Sequence, residues 1–270
     1  MTSLATPLLA MSDVSVQFAD KEGAAVFAVH NASLDMRPGE ILGIAGESGS
    51  GKTQLLMAIM GLSPRGARLS GNLVFKGEEL LHAPRQRLRE LRGNRIAFVF
   101  QDPMTALNPY LTIGRQMTEV LEYHGGANRS AAIARSLAML EAVGISDPRL
   151  RLRQYPHELS GGMRQRVMIG MALLCEPDLL LADEPTTALD VTVQSQVLDL
   201  LLDLRARLGT AILLVTHDLG VLARVADRVA VMQAGNIVEQ AEVTALFATP
   251  QHPYTHMLLA SARRLATGTA

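Results

Sequence analysis

Residues 46–53, Gly-Glu-Ser-Gly-Ser-Gly-Lys-Thr, fit G-x-x-x-x-G-K-[ST] at every fixed position. An apolar run precedes them (Ile41-Leu42-Gly43-Ile44) and a helix-forming run follows, from Gln54 to Met60. Strand, glycine-rich turn and helix in that order make a cradle for a phosphate chain. Glycine lets the backbone wind tightly enough for successive N–H groups to face one anion. The helix that opens there adds the positive end of its dipole. In such a cradle Lys52 reaches the β- and γ-phosphates and the Thr53 hydroxyl holds Mg²⁺. At average residue frequencies the pattern arises by chance in roughly one chain of this size in a hundred, and the flanking strand and helix make accident rarer still. The chain is therefore read as binding a nucleoside triphosphate, with Gly46, Ser48, Gly49, Ser50, Gly51, Lys52 and Thr53 around its phosphates.

A chain of 270 residues has room for one large α/β domain, or for one with a subdomain. The formal net charge of −1 provides no global field toward nucleic acid or an anionic membrane. The lone cysteine, Cys175, lies in the apolar run Met171-Ala172-Leu173-Leu174 and reads as a buried structural thiol. It excludes a disulfide framework or a cysteine metal site within one chain. The first ten residues carry no basic segment, and no apolar run approaches the roughly 18 residues of a spanning helix. The expectation is a cytosolic protein, or one held at a membrane through partners.

Alternation over residues 13–18 predicts a half-buried strand, and 31–36 a second one before the Pro38-Gly39 turn. Residues 72–76 and 95–100 read as two more. Between them Arg85, Arg87, Arg89, Arg92 and Arg95 form a basic helical segment, read as a solvated face. From about Gln101 to Ser160 the pattern is helical (Ile133, Leu137, Leu140, with Val143), interrupted by the Gly125-Gly126 pair. Residues 178–183, 210–216 and 228–232 then form short β-rich runs, each after a helix, as in a parallel sheet with crossover helices. After Gly235 the expectation is short helices and a frayed tail.

A phosphate loop needs an acid to organise its metal. Asp183 emerges at the end of the buried run Leu179-Leu180-Leu181-Ala182, on the edge of the sheet where ligands bind in this class. Glu184 follows, with Pro185 blocking continuation of the strand. An acid just beyond the metal can polarise a water for in-line attack on a γ-phosphate. Ser160-Gly161-Gly162, just before a helical run, make a second helix start able to meet an anion. Whether both starts serve one nucleotide, or the second serves a nucleotide on another molecule, is open on these grounds.

Residues 46–53, Gln101, Leu159–Met163, Leu179–Glu184, Ala188-Leu189-Asp190 and His217 stand in the order and spacing of the ATP-binding-cassette ATPases, which the chain resembles over nearly its whole length. Residues 100–109 (Phe-Gln-Asp-Pro-Met-Thr-Ala-Leu-Asn-Pro), 182–192 and His252-Pro253-Tyr254-Thr255 narrow the resemblance to ATP-binding subunits of bacterial oligopeptide, dipeptide and nickel importers. The resemblance implies an α/β P-loop NTPase (RecA-like) core with an N-terminal antiparallel β subdomain and an inserted α-helical subdomain. The expected boundaries are 1–101 and 161–240 for the core, 102–160 for the helical subdomain and 241–270 for a helical tail.

The same resemblance makes Glu184 the catalytic base, with Asp183, Thr53 and Gln101 at Mg²⁺ and Gln101 and His217 sensing the γ-phosphate. Ser160, Gly161 and Gly162 would face ATP held by the opposite subunit of a head-to-tail dimer, and Asp190 would lie in the loop that crosses it. Phe18 would stack on adenine, with Phe27 as its competitor. The implied partners are an identical or paralogous cassette, two membrane-spanning permease subunits and an extracytoplasmic solute-binding protein, with no nucleic acid. The implied place is the cytoplasmic face of the inner membrane. The chain departs from many relatives in carrying no cysteine-bearing segment after residue 255, so no cluster-dependent property is expected. The rival reading, a soluble cassette ATPase acting on nucleic acid or protein complexes, calls for a heptad insert or Cys/His pairs that this sequence lacks. A GTPase calls for an Asn-Lys-x-Asp guanine reader, also lacking.

Overall fold

Residues 6–19, 24–187 and 190–267 are described by the computed structural model of the chain. Its elements begin with β1 (Leu9–Ala19), β2 (Ala25–Met36), β3 (Ile41–Ala45), α1 (Lys52–Ile59), β4 (Arg68–Phe75) and β5 (Glu78–Glu79). There follow α2 (Arg85–Leu91), β6 (Ile96–Val99), α3 (Pro103–Ala106), α4 (Ile113–Tyr123), α5 (Arg129–Ala142), α6 (Pro148–Arg151), a 3-10 turn (Pro156–Glu158) and α7 (Gly161–Leu173). The rest are β7 (Leu179–Asp183), α8 (Val191–Leu208), β8 (Ala211–Thr216), α9 (Leu219–Val225), β9 (Arg228–Gln233), β10 (Asn236–Glu242), α10 (Val243–Ala248) and α11 (Pro253–Thr267). Contacts divide the chain into two units, one running to residue 88 and resuming at 211, the other spanning 89–210.

In the first unit β2, β1, β4 and β5 pair antiparallel in that order. Asp13 and Asn31 adopt left-handed φ where the β1–β2 register shifts, and the Ser15 hydroxyl closes the bulge by accepting the Asn31 N–H at 2.9 Å. The same unit holds β3 between β8 and β9, parallel to both, with β10 antiparallel on the edge of β9. β3 and β8 are buried on both faces, which is why they read as unbroken apolar runs. Gly43 sits mid-strand because α9 packs directly on it: a Cβ there would lie 2.6 Å from Leu222 Cδ2. Arg228 at the start of β9 binds Glu40 at 3.2 Å and Asp35 at 3.3 Å, and thereby fastens the entry to β3.

In the second unit β6 and β7 run parallel, in register from Ile96↔Leu179 to Val99↔Ala182. The helices around them start on side-chain caps: Asp102 for α3, Thr112 for α4, Asn128 for α5, Ser160 for α7 and Asp190 for α8. The α5 face that packs inward is Ala132, Ser136 and Leu140, followed by Val143, whereas Ile133 of the apolar stripe is exposed. The basic segment is solvated as expected, with Arg87 paired to Glu78 and Arg95 to Asp178. Cys175 is half-buried, and burial pushes its thiol pKa up.

The expectation for the C-terminus needs correcting. Residues 236–242 form a strand, not a helix, because they pair with β9 from Asn236↔Gln233 to Glu242↔Arg228. The tail beyond carries the short α10 and one 15-residue helix, α11.

Candidate functional site

The first unit positions the phosphate loop. β3 ends at Ala45, whose register partner on β8 is Thr216. Gly46 and His217 therefore leave neighbouring strands side by side, at the carboxyl edge of the sheet. Gly51 is the N-cap of α1 at φ +102°, and a Cβ there would lie 2.0 Å from the Ala28 carbonyl oxygen. A Cβ at Gly46 would lie 2.3 Å from the Met232 carbonyl oxygen. The loop is thus pressed against β2 and β9 at two places where only glycine fits. Lys52, buried, donates from Nζ to the carbonyls of Gly46 and Glu47, both at 2.8 Å. Ser50 is also buried, with its oxygen 3.5 Å from Nζ, while Thr53 on the next position of α1 is exposed. Ser48 and Gly49 are exposed at the crest of the loop. Phe18 is half-buried on β1, and Phe27 on β2 is 44% exposed with its ring edge-on to His30.

The second unit positions the acids. Because Val99 and Ala182 are register partners, Gln101 and Glu184 leave β6 and β7 at the same end. The Gln101 Nε2 donates to Glu184 Oε2 at 3.2 Å, and the Thr187 hydroxyl donates to the same oxygen at 2.9 Å. Glu184 itself adopts φ +46°, a strained conformation for a residue with a side chain. It turns the chain sharply after β7, and Pro185 is held in that turn by Gln165 of α7, whose amide donates to its carbonyl. Asp183 is buried at the strand end.

Ser160 caps α7, its Oγ accepting the Met163 N–H at 3.3 Å, and Gly161 and Gly162 form the first turn. Gly162 also admits α8, since a Cβ there would lie 2.9 Å from Val193 Cγ1. Asp190 caps α8 by accepting the Val193 N–H at 3.0 Å. Ala188 and Leu189 lie outside the described residues.

The structure thus brings residues 46–53 and His217 together in one unit, and Gln101, Asp183 and Glu184 in the other. Two participants were not singled out from the sequence. Thr187 lies inside the run 182–192 that carried the family resemblance, where its order after Glu184 was the available signal. Tyr254, whose phenol oxygen accepts the Glu47 N–H at 3.3 Å, lies inside His252–Thr255, and nothing in residue order ties it to a loop two hundred positions earlier.

Residues 29–187 match the family model described as ABC transporter. The chain is 50% identical over 261 residues to the oligopeptide transport ATP-binding protein OppD of Salmonella typhimurium, covering 97% of this chain and 78% of that one. It is 49% identical over 260 residues to the dipeptide transport ATP-binding protein DppD of Bacillus subtilis, covering 96% and 77%. Among solved structures, a dimeric ATP-binding cassette in a post-hydrolysis state bound to ADP and Pi superposes with a TM-score of 0.77 at 28% identity, covering 87% of this chain and 98% of that one. The expected α/β P-loop fold is thereby established: this chain belongs to the ABC transporter family, as one of its ATP-binding, ATP-hydrolysing cassettes.

Proposed function

We propose that the chain powers uptake of peptides, or of a related small solute, through separate membrane-spanning subunits on whose cytoplasmic face it sits. The solute class is supported by the 49–50% identity, along nearly the whole chain, to proteins named for dipeptide and oligopeptide transport. The chemistry is supported by the loop. Lys52 exchanges the neutral carbonyls of Gly46 and Glu47 for the charged oxygens of the β- and γ-phosphates, and charge-assisted bonds are roughly twice as strong. Thr53, Asp183 and the Gln101 amide are hard oxygen donors of the kind Mg²⁺ takes alongside nucleotide phosphates. Mg²⁺ held there neutralises charge that develops on the transferred group. Glu184, held by Gln101 and Thr187, accepts the proton of the attacking water. His217 contacts the γ-phosphate, and Phe18 stacks on adenine.

Two cassettes, identical or paralogous, sandwich two ATP molecules. Ser160, whose oxygen caps α7, directs its hydroxyl proton at the γ-phosphate held by the opposite subunit. Gly162 approaches the same phosphate, and Asp190 lies in the segment that crosses the interface. The membrane subunit seats in a groove of about 200 Å³ in the second unit, floored by Phe98, Leu107, Val120 and Met168. Phe100, 38% exposed on that groove, follows β6 and precedes Gln101, so it links docking to the Glu184 carboxylate. An extracytoplasmic binding protein delivers the solute.

The test is reconstitution. The chain is co-purified with its membrane subunits, placed in vesicles and supplied with binding protein and labelled short peptides. ATP-driven peptide uptake that disappears in Glu184→Gln is the expected result. ATP-driven transport of a non-peptide solute alone would replace the solute class. An ATPase stimulated by nucleic acid and indifferent to membrane subunits would replace the whole reading.

A further inference from the structure

The first turn of α11, with His252 just before it, takes no part in the proposed reaction, yet it reaches the phosphate loop. Its position is fixed from two sides. Within the turn, Nδ1 of His252 accepts the Tyr254 N–H at 3.2 Å. Behind it, the carboxylate of Glu239 on β10 accepts the N–H groups of Gln251 at 2.8 Å and His252 at 3.0 Å. Burial works against ionisation of Glu239, but the neighbouring Thr255 hydroxyl and those two amides outweigh it and hold the carboxyl below its ordinary value. Tyr254, 6% exposed, is left with its phenol oxygen 3.3 Å from the Glu47 nitrogen. Glu47 is the second residue of the phosphate loop, and its carbonyl is one of the two that hold Lys52. One residue of the loop is therefore gripped by the tail at its N–H and by the lysine at its C=O.

We propose that Tyr254 is a positioning residue for the phosphate loop: through the Glu47 N–H it fixes the entry of the loop, so that the C-terminal turn sets the affinity for nucleotide. The proposal rests on the reading of residues 46–53 as the ATP site. When Lys52 turns to the phosphates it releases the Glu47 carbonyl, and the bond to Tyr254 then holds that residue in place. A loop already held loses less freedom on binding. Tyr254 itself touches no phosphate and takes no proton, so it acts on binding and leaves the chemical step alone.

The full chain carrying Tyr254→Phe keeps the ring and loses only the phenol oxygen. Calorimetric titration should give a Kd about five-fold higher for ATP and for ADP alike, the size expected for one neutral hydrogen bond. ADP shares the effect because it too places a β-phosphate in the loop. Turnover at saturating ATP, measured in the assembled transporter, should stay within about twofold of wild type, a split between Kd and kcat that a general packing defect does not produce. Amide hydrogen exchange at Glu47 should quicken while that of Leu55 in α1 holds. Wild-type affinity, unchanged exchange at Glu47, or equal loss of protection at Glu47 and Leu55 would each overturn the proposal. Lys52→Ala, run alongside, separates the two levels. If it abolishes ATP binding while Tyr254→Phe binds like wild type, the brace alone is wrong. If Lys52→Ala binds ATP normally, the site and the brace fall together.

Discussion

Gly51→Ala is the sharpest probe of the cradle, because two costs fall on one methyl group. The first is conformational: at φ +102° a residue with a side chain is strained by about 1–3 kcal/mol. The second is steric. The new Cβ would stand 2.0 Å from the Ala28 carbonyl oxygen, about 1 Å inside the 3.0 Å that real Cβ atoms respect, and 2.9 Å from Met232 Cε. The methionine methyl can swing aside; the Ala28 carbonyl is backbone of β2 and cannot. The loop must retreat by about 1 Å, and a misplacement of that size costs about a hundredfold where groups must be aligned. Together the two terms amount to about 4–6 kcal/mol, which at 1.4 kcal/mol per decade predicts ATP affinity lower by about three to four orders of magnitude. Gly49→Ala is the control. Its φ is +79°, but a Cβ there meets nothing within 4 Å, so only the conformational cost applies, about 1–2 kcal/mol. Gly209→Ala, at φ +69° after α8 and equally open, should lower stability by a similar amount and leave ATP affinity alone. Nucleotide titrations and urea unfolding of the three variants give the answer. If Gly51→Ala binds ATP no worse than Gly49→Ala, the contact with Ala28 does not shape the site, and the argument from close approach is wrong.

Glu184→Gln keeps size and hydrogen bonding but cannot take the proton of the attacking water, so it should bind ATP with near-normal affinity and hydrolyse it at least a hundredfold more slowly. Light scattering behind size exclusion should show the variant accumulating as a dimer with ATP and dispersing with ADP; near-normal turnover would remove Glu184 as the base. Arg228→Ala leaves the Glu40 carboxylate, 4% exposed, without its guanidinium partner, and should lower unfolding stability by about 3 kcal/mol; a urea midpoint like that of wild type would show that the Arg37 N–H alone satisfies Glu40. The Glu239 carboxyl, held below its ordinary 4.5, gives stability that is complete above that pH and lost as pH falls through its lower native value. Acid unfolding should therefore begin at higher pH in wild type than predicted from the other carboxylates alone, and Glu239→Gln should flatten that limb of the curve.

The parallel strands were legible because burial on both faces leaves an unbroken apolar run, as in residues 179–182 and 211–215. β2 was legible only from Asn31 onward, yet it begins at Ala25, because Val26 and Phe27 lie exposed where alternation would bury every second residue. β10 was missed for a related reason. Its residues Ile237, Val238, Glu239, Gln240 and Ala241 show no clean period, and pairing with β9 along the whole strand decides their conformation. The α5 stripe was legible as helix, but Ile133 is turned outward: which face of a helix is inward depends on what packs against it, and periodicity alone does not carry that information.

In the candidate site, what could be read from residue order is what order itself determines. The loop at 46–53 and the acids at 183–184 each belong to a contiguous strand–turn–helix, and Ser160 to the start of the helix it caps, so their local geometry follows from their neighbours in the chain. What order could not supply is the set of contacts that close across distant elements. The Ala28 and Met232 carbonyls explain why Gly51 and Gly46 must be glycine, and neither carbonyl has any signature, since every residue has one. Gln101 and Glu184 are joined because β6 and β7 run parallel in register, so the eighty-two residues between them are irrelevant to the 3.2 Å that separates their side chains. That register also gives the pair a mechanical consequence. A displacement of the segment after Phe100 moves the Gln101 amide, and the amide holds the same Oε2 that Thr187 holds. The Glu184 carboxylate is therefore restrained from two directions, one of them leading to the groove proposed for the membrane subunit, and under that proposal docking there would change the orientation of Glu184 without any contact to nucleotide.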